Sequence, residues 1–392
     1  MNRALALLLV TVFLNIAGFS LILRLLPFYG KAFGASPLAV ASLFAAYSFG
    51  SVFGEIFWGR RSDAVGRKPV LVMTTAGAAL SYIAFAYASS LEMAIVIRII
   101  SGFFSGTFGV VQGTIADLTP PAERARNMGY FGASFNLGFA TGPAIGGLLA
   151  TPGAGLPGFR LPILAAAALA ATASIWAAVA LAETRTRSER KRAAISYGEA
   201  FRYVGADSLM LRLFLIAFCG IAAFASMEAV FGMWTERNFS WTTREVGLTF
   251  LFMGGAGLLV QTFLIGPLVA RFGEARVIVG GLVILVIAIL LQLIRLPIAS
   301  VLSMATLMTG HSLSFPNAGA LVSRSTPPDR QGSVMGLNMA SNAASRIVAP
   351  PFFGWMFGMN PDAPYVLCAL LIASMLPVAW SVVSIRDNEA RG

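Results

Sequence analysis

The sequence predicts an all-α membrane protein, twelve transmembrane helices in two pseudo-symmetric six-helix bundles. Three observations lead there. Hydrophobic residue types make up 57% of the chain and charged ones 11%, with a mean hydropathy of +0.78. A soluble fold of 392 residues does not present so little polar surface to water. The apolar residues come in long continuous runs rather than in period-two alternation, which points to helices and away from a β-barrel. Finally, turn and helix positions of the first half recur in the second at one constant offset.

A spanning helix needs roughly 20 mainly apolar residues, and twelve runs between short polar breaks meet that length. In the first half they are 4–28, 37–59, 70–88, 92–115, 128–150 and 160–182. In the second they are 208–234, 245–267, 275–295, 297–323, 334–358 and 364–385. The first run is as long as the others and lacks a small-residue cleavage site before the next break, so it is expected to remain as a span. The longest polar stretch, Glu183 to Asp207, separates the sixth run from the seventh. The expected organisation is a bundle at 1–183, a cytoplasmic linker at 184–207 with a short surface helix around Tyr197 to Tyr203, and a bundle at 208–392. Cys219 and Cys368 fall inside runs and read as small apolar core residues, not a disulfide framework.

The formal charge of +11 is explained by its distribution. With an even number of spans and both ends inside, Arg60, Arg61, Arg67, Lys68, Arg124, Arg126, Arg271, Arg276, Arg324, Arg330 and the linker arginines share one side. Only Lys31, Arg160, Arg237, Arg244 and Arg295 fall on the other. This positive-inside asymmetry sets orientation in an inner membrane with cytoplasmic termini, and it gives no reason to expect nucleic acid as a partner.

The repeat aligns "LTPPAERARNMG", Leu118 to Gly129, with "STPPDRQGSVMG", Ser325 to Gly336. The same offset lays Gly59 and Gly66 on Gly266 and Gly273, and Pro143 and Gly147 on Pro350 and Gly354. A parallel duplication of six spans around a basic linker resembles the plan of major facilitator superfamily transporters. The stretch "FWGRRSDAVGRKPVLV", Phe57 to Val72, is similar to that superfamily's signature between helices 2 and 3, G-x-x-x-D-x-x-G-R-K/R, with Gly59, Asp63, Gly66, Arg67 and Lys68 in place. Its glycines permit a tight turn and close helix approach, and Asp63 suits the positive end of a neighbouring helix. The resemblance names that neighbour as helix 11 and pairs Arg67 with an acid at the inner end of helix 4, here Asp117. These charges are expected to form a conformational latch between the halves. Ala270 stands at the matching aspartate position of the second half, so the latch is expected to be one-sided.

In helix 5, "GFATGPAIGG" fits G-x-x-x-G-P-x-x-G-G at Gly138, Gly142, Pro143, Gly146 and Gly147. Small residues there let helices approach closely, and Pro143 frees backbone groups. The string resembles the signature of twelve-span drug/proton antiporters, including tetracycline-efflux proteins, in which the helix seals the cavity against leak. "RIISGFFSG", Arg98 to Gly106, is similar to the superfamily's R-x-x-x-G-x-x-x-G element, to which the resemblance assigns proton transfer. Arg98 is also near enough to the outer end to snorkel.

Helix 1 departs from the branch pattern, with Asn15 where related exporters often carry an acid and Arg24 where they carry a proline. The resemblance places helices 1, 4, 7 and 10 around the cavity, and the ionisable residues on the last three are Arg98, Glu228 and His311. An imidazole titrates near neutrality, and burial moves carboxylates in general toward that range. Glu228 and His311 are therefore the candidate proton carriers. Glu55 on helix 2 and Arg346 on helix 11 are further candidates expected to be buried, with Glu55 also able to extend the latch and Arg346 too deep to snorkel easily.

The expected function is secondary transport: proton-coupled export of an amphiphilic, drug-like small molecule by alternating access. The alternative is symport or uniport of organic anions or zwitterionic metabolites, which the missing acid at Asn15 and the arginines favour. An enzyme is not expected, because the single His has no Asp, Glu or Cys within a turn to work with. No cofactor or metal is expected. The expected partners are the substrate, protons and membrane lipids, and the expected state is a monomer.

Overall fold

The computed structural model describes residues 3–120, 123–183, 197–327 and 330–389. The first half contains α1 (Arg3–Ala32), α2 (Pro37–Val65), α3 (Arg67–Ala86), α4 (Leu91–Phe103), α5 (Thr107–Leu118), α6 (Arg124–Leu149) and α7 (Arg160–Ala180). A short helix, α8 (Tyr197–Ala206), precedes α9 (Ser208–Phe239). Next come α10 (Thr243–Leu259), a π-helical turn (Val260–Leu264) and α11 (Ile265–Phe272), which run on as one rod. The chain closes with α12 (Glu274–Gln292), α13 (Pro297–Arg324), α14 (Gln331–Met359) and α15 (Ala363–Glu389).

These helices realise the twelve expected spans. Among the described residues, nine helices are long and apolar enough to cross a membrane by length and composition. The remaining three spans are the polar, glycine-rich ones. Span 4 is broken at Phe104–Gly106 into α4 and α5, of 13 and 12 residues. The break falls in "SGFFSGTFG", where glycine and serine hold a helix poorly and Ser105 turns its hydroxyl onto the Gly102 carbonyl at 2.6 Å. Spans 5 and 11 are α6 and α14, continuous helices of 26 and 29 residues diluted by Gly, Ser and Asn.

The second span departs from expectation. The apolar run ends at 59, yet α2 continues through the charged residues to Val65, and Gly66 alone separates it from α3. Gly66 has φ +109°, open to glycine at little cost. The expected loop is therefore a helix end plus one turning residue. Loss of hydrophobicity ends a membrane run, but the backbone hydrogen bonds carry the helix on into water.

The chain divides into two compact units, Met1–Arg190 with Gly232–Gly254, and Lys191–Phe231 with Gly255–Gly392, so α9 and α10 contribute to both. In the first unit α1 packs against α6 and α7, α2 against α4, and α3 against α7. Leu5, Leu8 and Val12 of α1 are buried with Val70, Leu71, Val111, Ile115 and Leu181. The α2–α4 contact is made by interlocking glycines: Gly50 and Gly54 lie on the Ile99 and Phe103 carbonyls, while Gly102 and Gly106 lie on those of Tyr47 and Gly54. Trp58 Nε1 donates to the Phe103 carbonyl at 2.9 Å beside this seam.

In the second unit α12 packs against α13 and α15. Gly281 and Gly310 bring the first two backbones together. Ser303 Oγ donates to the Ala288 carbonyl at 2.7 Å, and Gln292 Nε2 to Ser300 Oγ at 3.0 Å. In hydrocarbon, such polar and van der Waals contacts hold helices together, because lipid offers no hydrophobic drive for association. Cys219 and Cys368 are buried free thiols.

A methyl group at Gly102 would overlap the Tyr47 carbonyl, and backbone cannot swing aside as a side chain can. Gly102→Ala should destabilise the detergent-solubilised protein by about 1–3 kcal/mol, the usual cost of overpacking, read as a lower thermal midpoint. An unchanged midpoint would show that α2 and α4 separate freely.

Candidate functional site

Around Gly66 the first unit concentrates its charge. Arg67 Nε lies 3.1 Å from Asp117 Oδ2 at the end of α5, and Arg67 Nη1 donates to Ser62 Oγ at 2.8 Å. The backbone N–H groups of Arg67 and Lys68, the first two of α3, donate to the Glu183 carboxylate at 2.8 and 3.2 Å. A carboxylate is favoured there by the unsatisfied N–H groups and the helix dipole. Any side chain at position 66 would displace Glu183, and any at Gly113 would strike the Arg67 guanidinium. Sequence reasoning left Glu183 at the edge of the linker and passed over Gly113; the free N-terminus of α3 was the signal for the former.

Gly59 behaves differently from its partner in the motif. It lies inside α2, and a side chain there would meet open space, so close approach does not explain it. Asp63 is part of the α2 backbone, and its side chain lies outside the described residues.

Helix α6 explains its ten-residue string by facing two neighbours. Gly138, Gly142 and Gly146 recur every four residues and lie against Phe13, Ala17, Ser20 and Leu21 of α1. Ser20 Oγ donates across that seam to the Gly138 carbonyl at 3.0 Å. One position further round, Gly147 lies on the Thr243 carbonyl, while Gly247 and Gly254 of α10 lie on Pro143 and Ala140. The consecutive Gly146 and Gly147 are thus needed by different partners. At the same end, Lys31 of α1 pairs with Glu236 of α9.

Two arginines are buried in the first unit. Arg98 is 1% exposed, its Nε donating to the Leu43 carbonyl at 3.3 Å and its guanidinium carbon lying 4.5 Å from the Tyr47 ring centroid. It therefore packs into α2 rather than snorkelling outward. Arg24 is 3% exposed, its guanidinium carbon 3.6 Å from the ring centroid of Phe250 and 5.0 Å from that of Phe139. Such stacking is worth about 0.5–2 kcal/mol, most when desolvated. Sequence reasoning noted Arg24 only as a replaced proline, although a cation inside an apolar run was signal enough. Asn15 Nδ2 reaches Thr107 Oγ1 at 3.4 Å.

In the second unit, His311 sits between the rings of Phe224 and Phe315, with centroid distances of 4.2 and 4.6 Å. Glu228, 5% exposed, follows Phe224 by one turn of α9. Gly220 makes room beside His311, since a side chain there would overlap the Phe315 ring. Two expectations of burial fail. Glu55 is exposed on α2 and Arg346 is exposed on α14, because depth along a helix fixes neither the direction nor the surroundings of a side chain.

The sequence profile of the Major Facilitator Superfamily matches residues 8–262 and again 213–391. The tetracycline resistance protein, class G, of Vibrio anguillarum is 29% identical over 349 residues, covering 86% of each chain. Multidrug resistance protein 2 of Bacillus subtilis is 24% identical over 98% of this chain and 96% of its own. A crystal structure of the nucleoside transporter NupG superposes with a TM-score of 0.79 at 14% identity, covering 97% of this chain and 100% of that one. One of the human organic anion transporter MFSD10 gives 0.72 at 21%, over 96% and 99%.

Gly142→Leu should abolish transport while ligand binding survives, since the added side chain collides with Ser20 and Ala17 in the α1–α6 seam. Binding lost together with transport would place Gly142 in the ligand site instead. Glu183→Ala should cost about 1 kcal/mol of stability, the usual worth of a helix cap, measured as a lower thermal midpoint; an unchanged midpoint would remove the cap from the account.

Proposed function

Because this chain belongs to the Major Facilitator Superfamily, we propose that it exports an amphiphilic, drug-like molecule from the cell by alternating access, in exchange for protons. The observation that carries this reading is α6 with its two glycine faces, the ten-residue string associated with drug exporters. The curated relatives named for tetracycline and multidrug resistance, matched over most of their length, support the same branch. The chain is a multi-pass membrane protein and a transporter, not an enzyme. Its basic excess supports an inner-membrane orientation with cytoplasmic termini, and it acts as a monomer.

Exchange requires a group that binds a proton on one side and releases it on the other. Asn15 does not titrate, so the coupling site moves from helix 1 to Glu228 and His311. Asp63, together with Arg67 and Asp117, biases the equilibrium between the two access states. A second reading is organic-anion symport or uniport, favoured by the guanidinium of Arg24 buried between two phenyl rings.

In vesicles under an imposed pH gradient, Glu228→Gln or His311→Ala should abolish uphill substrate accumulation. Counterflow exchange should survive, because it needs no net proton movement. If both variants still concentrate substrate, the proton is carried elsewhere. If the unaltered protein ignores the gradient, or accumulates substrate with the proton flow, antiport is wrong and the second reading stands.

A further inference from the structure

An arginine well inside a spanning helix is costly in lipid and needs polar surroundings. Arg346 is such a residue, and the surface of α14 shows which way it faces. Ala340, Ala344, Val348, Phe352 and Trp355 are exposed and form one apolar stripe along that helix, the side that suits lipid. Arg346 stands roughly half a turn round from Ala344 and Val348, on the face that also holds the buried Asn338, Ala349 and Phe353. It is exposed all the same, so it opens on the inner side of the helix and not on hydrocarbon.

His311 of α13 faces inward by the same reasoning. The exposed Ile298 and Leu302 mark the lipid side of that helix, and His311 lies roughly half a turn round from them. Its imidazole sits between the Phe224 and Phe315 rings, at 4.2 and 4.6 Å. Arg346 is near enough for its charge to act on that imidazole. Among the described residues no acid pairs with Arg346, and no hydrogen bond holds its guanidinium.

The turns of α14 before Arg346 are polar as well. Long side chains of a helix lean toward its N-terminus, which directs the guanidinium back over Asn342. Asn342 and, one turn earlier, Asn338 each bury an amide oxygen that has no hydrogen-bond partner, and Asn338 is only 6% exposed. A native fold pairs nearly all such groups, so these orphans call for a partner from outside the chain. Their neighbours select its chemistry. A guanidinium fork fits a carboxylate through two parallel hydrogen bonds, an amide oxygen requires a hydroxyl or N–H donor, and clustered rings take an aromatic body.

We propose that this face of the second unit binds the transported molecule by an anionic group. Arg346 takes a carboxylate, Asn342 accepts from a hydroxyl or amide N–H beside it, and Phe224, His311 and Phe315 pack against its aromatic body. The inference rests on the reading of this chain as a carrier of amphiphilic molecules and gives that substrate its class, an aromatic acid. It holds whether protons move against the substrate or with it.

The test is titration calorimetry on the purified full-length protein, with no gradient imposed, using benzoate, hydroxybenzoate and naphthoate, each beside its uncharged primary amide. The acids should bind, and the amides should bind more weakly by about tenfold or more, the least that hydrogen bonds to a charged group are worth. Arg346→Gln should weaken the acids about ten- to hundredfold on the same ground and leave the amides unchanged. Arg346→Lys keeps the charge but loses the fork, and it should fall between. Asn342→Ala should remove the advantage of hydroxybenzoate over benzoate. Acids that bind Arg346→Gln as tightly as the unaltered protein overturn the proposal, and so does a set in which no acid binds or each amide matches its acid. Binding at equilibrium needs no proton flow, so such a result leaves the vesicle test of exchange untouched. Conversely, a protein that ignores the pH gradient can still bind these acids through Arg346.

Discussion

Backbone proximity between helices is the constraint on which the rest of this structure depends. Lipid gives two apolar helices no reason to associate, so they must touch closely enough for dispersion and short polar contacts to act. The chain meets that demand with glycine at the crossings. Gly50, Gly54, Gly102 and Gly106 join α2 to α4, and α6 lies between α1 and α10 on two glycine faces. A contact built on absent side chains has no interdigitated knobs to lift out before one helix slides on the other. The same property that lets the seams form suits them to a protein that must change conformation.

The charges sit where those seams end. At the start of α3 a single turning glycine exposes two N–H groups, and Glu183 satisfies both while Arg67 reaches across to Asp117. This ties α3, α5 and the segment after α7 into one corner. The second unit builds the corresponding corner with acid and base exchanged. An ion pair does not distinguish which partner carries which sign, so the geometry survives inversion. The first corner is completed by the Glu183 carboxylate, which follows the end of α7.

Within the spans, three ionisable groups lie against aromatic rings. Arg98 lies by Tyr47, Arg24 between Phe139 and Phe250, and His311 between Phe224 and Phe315. Ring faces stabilise a cation without demanding a full counter-charge, and they exclude water around it. For His311 the arrangement depends on Gly220, whose missing side chain makes room for Phe315. The surroundings of His311 are thus set in part by a residue that carries no chemistry itself.

The helical membrane class, the twelve spans and the duplicated plan were legible in the sequence, because each rests on a local or periodic property. A run of apolar residues must become a helix in lipid, and a constant offset between matching positions needs no coordinates to be seen. The signatures at Gly59 to Lys68 and Gly138 to Gly147 were legible for the same reason. Only the tertiary structure decided what lies across from each residue. It separated the two faces of α6, gave Gly66 rather than Gly59 the spatial need for glycine, and left Glu55 and Arg346 exposed while burying Arg24. Position along a helix gives depth, but the neighbours of a side chain come from the rotation of that helix against others, a sum of many weak contacts that no single stretch of sequence contains.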